Sequence, residues 1–142
     1  MDSKMDAEVE KFDKLGHNWW NVNDGELRLL HQINPLRIEF ILKHLQKHFR
    51  IKATENILTR LRILDVGCGG GLSTIPMARL GAKVIGIDPS INAIAAANAK
   101  ALSAKLTNAE HICTTAEDFQ LHDKCRDKFD VVLRSINSIT LS

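Results

Sequence analysis

The chain has 142 residues, 44% apolar and 25% charged, with 19 basic and 17 acidic side chains for a net charge of +2. That length suits about one domain with a real core, and the composition is ordinary for a globular protein. No clustered basic stripe supports nucleic-acid binding, and no apolar run approaches the roughly 20 residues of a membrane span.

From the N-terminus, Met1-Asp-Ser-Lys-Met-Asp-Ala-Glu8 has no signal-peptide core and is too acidic for a transit peptide. Val9, Phe12, Leu15 and Trp19 then recur at helical spacing, and Glu8, Glu10, Lys11 and Lys14 read as a solvated face. Residues 21–25 form a turn-rich break. A second helix is predicted to start near Asn34-Pro35, a capping residue followed by proline at the first helical position. It carries Ile38, Ile41, Leu42, Leu45 and Phe49 inward, with Lys43, His44, Lys47 and His48 outward. His44 and His48 stand one turn apart, as metal ligands can, but the lysines around them favour a solvated face. Residues 1–52 are read as a helical cap and 53–142 as an α/β domain. Strands are expected at 61–67, 82–88, 109–114 and 129–134, with helices at 72–80 and 90–104. Alternating strands and helices imply parallel pairing. The second of these helices is alanine-rich, a strong helix former that packs closely on a sheet. Cys68, Cys113 and Cys125 are odd in number and irregularly spaced, so neither a disulfide framework nor a zinc site is indicated, and Cys68 reads as a small packing residue.

The chemistry concentrates at Asp65-Val-Gly-Cys-Gly-Gly-Gly71. An apolar strand breaks into glycines, and a second apolar run closes on Asp88, 21 residues after Gly67. Such a turn lets backbone approach a ligand, and a strand-tip carboxylate can accept from both hydroxyls of a ribose. An adenosine-containing ligand is the expected class. A dinucleotide fingerprint needs a sixth-position glycine, and Leu72 stands there. The spacing present is G-x-G-x-G (Gly67, Gly69, Gly71), with Asp65 two residues ahead.

That version resembles motif I of the class I S-adenosylmethionine-dependent methyltransferases. The upstream strings, Trp19-Trp20 and Ile33-Asn34-Pro35-Leu36-Arg37, narrow the likeness. Together with the glycine loop they resemble the ubiquinone-biosynthesis O-methyltransferases over about residues 9–134. The resemblance implies a Rossmann-like sheet of about four parallel strands, cut short, behind two N-terminal helices. It implies S-adenosylmethionine as cofactor, a polyprenylated catechol-type phenol as substrate, and a cytoplasmic location or a peripheral one at the inner membrane. By resemblance, Arg37 binds the cofactor's carboxylate, a match for a guanidinium fork. Asp65 helps position its amino acid portion, with Gly67, Gly69 and Gly71 lining it, Asp88 on the ribose and Glu117 at the adenine. His31 belongs to the same strings and reads by default as an ordinary hydrogen-bonded histidine. Trp19 and Trp20 fit either a lid or plain core packing.

After the fourth strand the resemblance stops. The family has a cofactor contact there, the place taken here by Ser135, and then an E-x-x-E-H stretch thought to hold a divalent cation. This chain reads Arg134-Ser-Ile-Asn-Ser-Ile-Thr-Leu-Ser142, without a carboxylate after Asp130. The expectation is an interrupted chain with cation ligands missing, no catalytic residue assigned, and little turnover. A fourth strand left at the sheet edge would be a template for pairing, so a homodimer through residues 129–142 is also expected.

Overall fold

The computed structural model describes residues 20, 28–52, 56–121, 123–126, 129–134 and 138–141. The first predicted helix, Trp19, the break at 21–25 and Ser135 lie outside the described residues. In chain order the elements are α1 (Arg28–Phe49), β1 (Arg62–Val66), α2 (Thr74–Arg79), β2 (Lys83–Asp88), α3 (Ile91–Ser103), β3 (Ala109–Cys113), α4 (Ala116–Phe119), a 3-10 turn (Asp123–Arg126), β4 (Val131–Arg134) and β5 (Ser138–Leu141). They form one five-stranded sheet in the order β3-β2-β1-β4-β5. The first four are parallel, with Ile63 opposite both Val84 and Val131. Ile63 and Leu64 are both buried, as a central strand covered on two faces requires.

The two sheet faces carry different covers. On one, Ile63, Val84, Val131 and Leu133 pack with Ile41 and Leu45 of α1 and with Met77 and Ala78 of α2. On the other, Leu64, Ile85 and Ile87 meet Phe119, with Cys125 and Phe129 alongside. The alanine-rich helix is α3. Ala93, Ala97 and Ala101, four residues apart, are buried, and Ser90 caps the helix by accepting from the Ala93 N–H at 3.2 Å.

Two expectations are corrected. The helix predicted to start at Asn34-Pro35 is already helical from Arg28, so Pro35 lies inside it. A proline there removes one i→i−4 bond, and packing of Ile41 and Leu45 into the core sustains the helix regardless. The second correction concerns β4, which is not an edge. Residues 138–141 return antiparallel, pairing Val131 with Leu141 and Leu133 with Ile139, and Ile139 and Leu141 pack onto the α1 side of the core. The sheet has four parallel strands as expected, and a fifth, antiparallel one that was not. The row of backbone groups that β4 was expected to expose is therefore taken up within the chain.

Candidate functional site

Glycine geometry and a carboxylate build the centre of the site. The β1–α2 turn takes left-handed backbone at Gly67 (φ 78°), Gly69 (φ 54°) and Gly71 (φ 93°), a region that side chains resist. Gly67 and Cys68 donate their N–H groups to the Ile87 carbonyl at 2.8 and 3.0 Å, pinning the turn to the end of β2. Asp88 closes it. One carboxylate oxygen accepts from the Gly69 N–H at 3.0 Å and the other from the Ser90 N–H at 2.9 Å. The three glycines do not share one role. A Cβ at Gly67 would meet nothing within 4 Å, so its face is open. Gly71 is turned inward, where a Cβ would crowd Ile75 and Thr74 at 3.1 Å.

Arg37 and Asp65 reach the same place from different elements. Asp65 is buried at the end of β1, only 3% exposed. Burial pushes its carboxyl up from 3.8 to about 7, with Arg37's positive charge pulling it back and Asp88's negative charge adding to the rise. Cys68 is buried as well. Desolvation, then the charges of Asp65 and Asp88, hold its thiol far above the ordinary range, which suits packing and not nucleophilic attack.

The N-terminal segment straps this loop down. Trp20 donates its indole N–H to the Gly70 carbonyl at 2.7 Å, and Asn34 donates its amide to the Leu72 carbonyl at 2.8 Å. The Trp20 ring packs on Leu72 and Ala93, lies 5.7 Å from the His31 ring, and has the Lys100 ammonium over it at 4.9 Å. Trp20 thus covers the helix side of the loop. Asn34 is not the predicted cap, and its bond to the loop was missed; the only signal for it was its place in the I-N-P-L-R string.

A cavity of about 190 Å³ beside the turn is lined by Val66, Gly67, Ile87, Pro89 and residues 114–117, so Glu117 stands in its wall. A larger cavity of about 740 Å³ lies among Phe49, Arg50, Ile57, Arg60, Leu61 and Asp130. That one sits at the amino ends of the strands. Open parallel sheets bind ligands at the carboxyl ends, so the smaller cavity is the candidate. The structure thus gathers Arg37, Asp65, Gly67, Gly69, Asp88 and Glu117 around one end of the sheet. His44 and His48 are exposed on α1, each against a phenylalanine ring. Among the described residues no three of His, Cys, Asp and Glu gather where they could hold a metal ion.

Beneath the loop lies a buried histidine that the sequence reading passed over. His111 on β3 has Nε2 at 2.6 Å from the Thr74 hydroxyl and Nδ1 at 3.0 Å from the Asn98 carbonyl oxygen. Asn98 spends its amide on the His111 carbonyl, so Nδ1 carries the proton and Nε2 accepts from Thr74. Gly86 leaves room for this packing, since a Cβ there would stand 2.8 Å from Cys68 and 3.0 Å from the His111 ring. Burial lowers His111 from 6.5 to about 4, against a smaller upward pull from Glu110. A folded pKa below the unfolded one means that the unfolded chain takes up the proton first. His111 therefore supports the fold above pH 6.5 and withdraws that support as pH falls toward 4. In chemical denaturation across this range, His111→Gln is expected to lose that portion of the pH dependence; a slope identical to the parent's would refute the assignment.

Residues 63–141 match the family described as "Methyltransferase domain". A ubiquinone biosynthesis O-methyltransferase of Nitrobacter winogradskyi is 46% identical over 128 residues, 89% of this chain and 47% of that protein. Its counterpart in Pelagibacter ubique is 41% identical over 133 residues, 94% of this chain and 53% of that one. The chain spans about half the length of these curated relatives. Among solved structures, the magnesium protoporphyrin IX methyltransferase of Synechocystis, crystallised with bound S-adenosylmethionine, matches at a TM-score of 0.64 and 20% identity, over 94% of this chain and 62% of that one. That likeness is one of fold, a Rossmann-like methyltransferase sheet. Because the matched stretch runs from β1 through β5 with the glycine turn inside it, the chain belongs to the methyltransferase-domain family.

Proposed function

We propose that this chain forms the cofactor-binding portion of an S-adenosylmethionine-dependent O-methyltransferase of ubiquinone biosynthesis. Its substrate would be a phenolic hydroxyl of a polyprenylated catechol-type precursor. The observation that carries the reading is the open Gly67 turn beside the Asp88 carboxylate, at the carboxyl ends of the strands. Open space over Gly67 and the cavity running from it to Glu117 suit the adenosine part of the cofactor. Arg37 would hold its carboxylate, Asp65 its amino acid portion, Asp88 the ribose hydroxyls and Glu117 the adenine side. Bound there, the sulfonium group supplies an electrophilic methyl. The chain's own part is to fix that methyl in line with an acceptor oxygen, which turns a bimolecular step into an effectively intramolecular one. The divalent cation implied by the family does not fit the described residues, because no group of three suitable ligands occurs among them.

The same observation favours a second reading, a non-catalytic remnant that binds cofactor or serves as an interaction module. Calorimetric titration with S-adenosylmethionine, S-adenosylhomocysteine and NAD tests the shared part. Binding of the first two and not NAD is expected, since Leu72 occupies the dinucleotide glycine position and is buried against Ala93 and Trp20. Preference for NAD would overturn the reading. A methyl-transfer assay on a catechol acceptor then separates enzyme from remnant. Negligible transfer by this chain is expected, and steady turnover would refute that.

The proposed cytoplasmic or peripheral inner-membrane location rests on the family resemblance alone; among the described residues no helix is long and apolar enough to cross a membrane. The proposed homodimer would pair through β5, one of the two strands at the ends of the sheet. Light scattering at micromolar concentration reads it directly, and a clean monomer of 15.9 kDa overturns it.

A further inference from the structure

Carbonyls of the glycine turn take donors of different origin. Those of Cys68, Gly71 and Ser73 accept N–H groups from the turn and from α2. Those of Gly70 and Leu72 accept instead from side chains of the N-terminal segment, Trp20 and Asn34. Asn34 and Arg37 are three residues apart on α1 and so are neighbours on one side of that helix. The bond from Asn34 therefore ties the stretch of α1 that carries Arg37 to the glycine turn, across 38 residues of chain.

We infer that Asn34, assisted by Trp20, is a positioning residue that sets Arg37 against the carboxylate end of the cofactor by tying α1 to the glycine turn. The inference rests on the cofactor reading above. It needs no contact between Asn34 and the cofactor. Its consequence is selective: weakening the tie should affect only the end of the ligand that Arg37 serves. The adenosine end is held by β2 and by the cavity at Glu117, neither of which Asn34 touches.

Two ligands separate these ends. S-adenosylhomocysteine carries the amino acid carboxylate, and 5′-methylthioadenosine is the same nucleoside without it. Both are titrated into the full chain and into Asn34→Ala, after thermal melts establish that the variant is folded at the titration temperature. Asn34→Ala is expected to weaken S-adenosylhomocysteine about tenfold, because a carbonyl loses its donor and the guanidinium its placement. Methylthioadenosine should change by less than about twofold, within the scatter expected of sites that share no partner. In an Arg37→Ala background the Asn34→Ala change should cost S-adenosylhomocysteine nothing further. Trp20→Phe keeps the ring on Leu72 and Ala93 but deletes the indole donor, and it should show the same selectivity with a smaller loss. Equal losses for both ligands, or none for either, overturn the positioning role. A parent protein that binds neither ligand overturns the cofactor reading itself, and that outcome is read before any variant is made.

Discussion

Asp65→Asn is expected to make the ligand-free protein more stable at pH 8 while weakening its hold on S-adenosylhomocysteine. Burial raises the carboxyl from 3.8 to about 7, a rise that corresponds to about 4 kcal/mol held against folding once the group ionises. Asparagine has nearly the same shape and no charge to desolvate, so a gain of roughly 1–4 kcal/mol is expected after its own amide is accommodated. The sign follows from linkage. A folded pKa above the unfolded one means that stability is greatest below pH 3.8 and is lost as pH rises through about 7. His111 runs the other way, gaining between about 4 and 6.5. In the parent the two oppose each other over pH 4–6.5, and their contributions should nearly cancel. Asp65→Asn removes one of the pair, so its stability should climb with pH across that window. Denaturant unfolding at several pH values measures this, and a variant no more stable than the parent at pH 8 would show that the buried charge costs nothing. The affinity loss has a separate cause. A charge-assisted hydrogen bond is worth roughly 1.5–3 kcal/mol, so a tenfold or greater weakening is expected if Asp65 meets the cofactor's amino acid portion. Stability given up at a binding residue is a common exchange.

How far the sequence revealed this site depends on how local each signal is. The glycine turn and Asp88 were legible because a turn forced into left-handed backbone needs glycine at fixed offsets, and a strand-tip carboxylate follows directly from strand length. Strands β1 to β3 and helix α3 came out within about a residue of their bounds, since short apolar runs and alanine spacing are written in neighbouring letters. What was missed depends on long-range partners. Pro35 looked like a helix start because local propensity cannot weigh the burial of Ile41 and Leu45. The return strand Ser138–Leu141 is four residues long, too short for its alternation to stand out. The bonds of Asn34 and Trp20 end on backbone carbonyls 38 and 50 residues away, and an acceptor of that kind leaves no pattern in the sequence. His111 is a single letter in a strand, with partners 13 and 37 residues distant.

Asp88→Ala is expected to do two things at once, and they can be measured apart. The carboxylate already holds the Gly69 and Ser90 N–H groups at 3.0 and 2.9 Å. Gly69 and Ser90 are both buried, so alanine at 88 leaves two donors without their acceptor. Each unsatisfied group costs roughly 1–3 kcal/mol, and a lowered melting temperature should follow whether or not any cofactor binds here. The binding effect adds to it. A carboxylate oxygen can accept more than one hydrogen bond, so a backbone bond does not bar a ribose hydroxyl from the same group. Loss of up to two such bonds, at roughly 1.5–3 kcal/mol each, should weaken S-adenosylhomocysteine by about a hundredfold or more. Calorimetry below the variant's melting transition isolates this from the stability loss. A parent-like affinity together with a lowered melting temperature would make Asp88 a clasp for the turn alone and move the ribose contact elsewhere. A hundredfold loss shared by S-adenosylhomocysteine and methylthioadenosine, which carry the same ribose, would place the contact at the tip of β2. Asn34→Ala should spare methylthioadenosine, so the two variants together divide the ligand between the ends of the site.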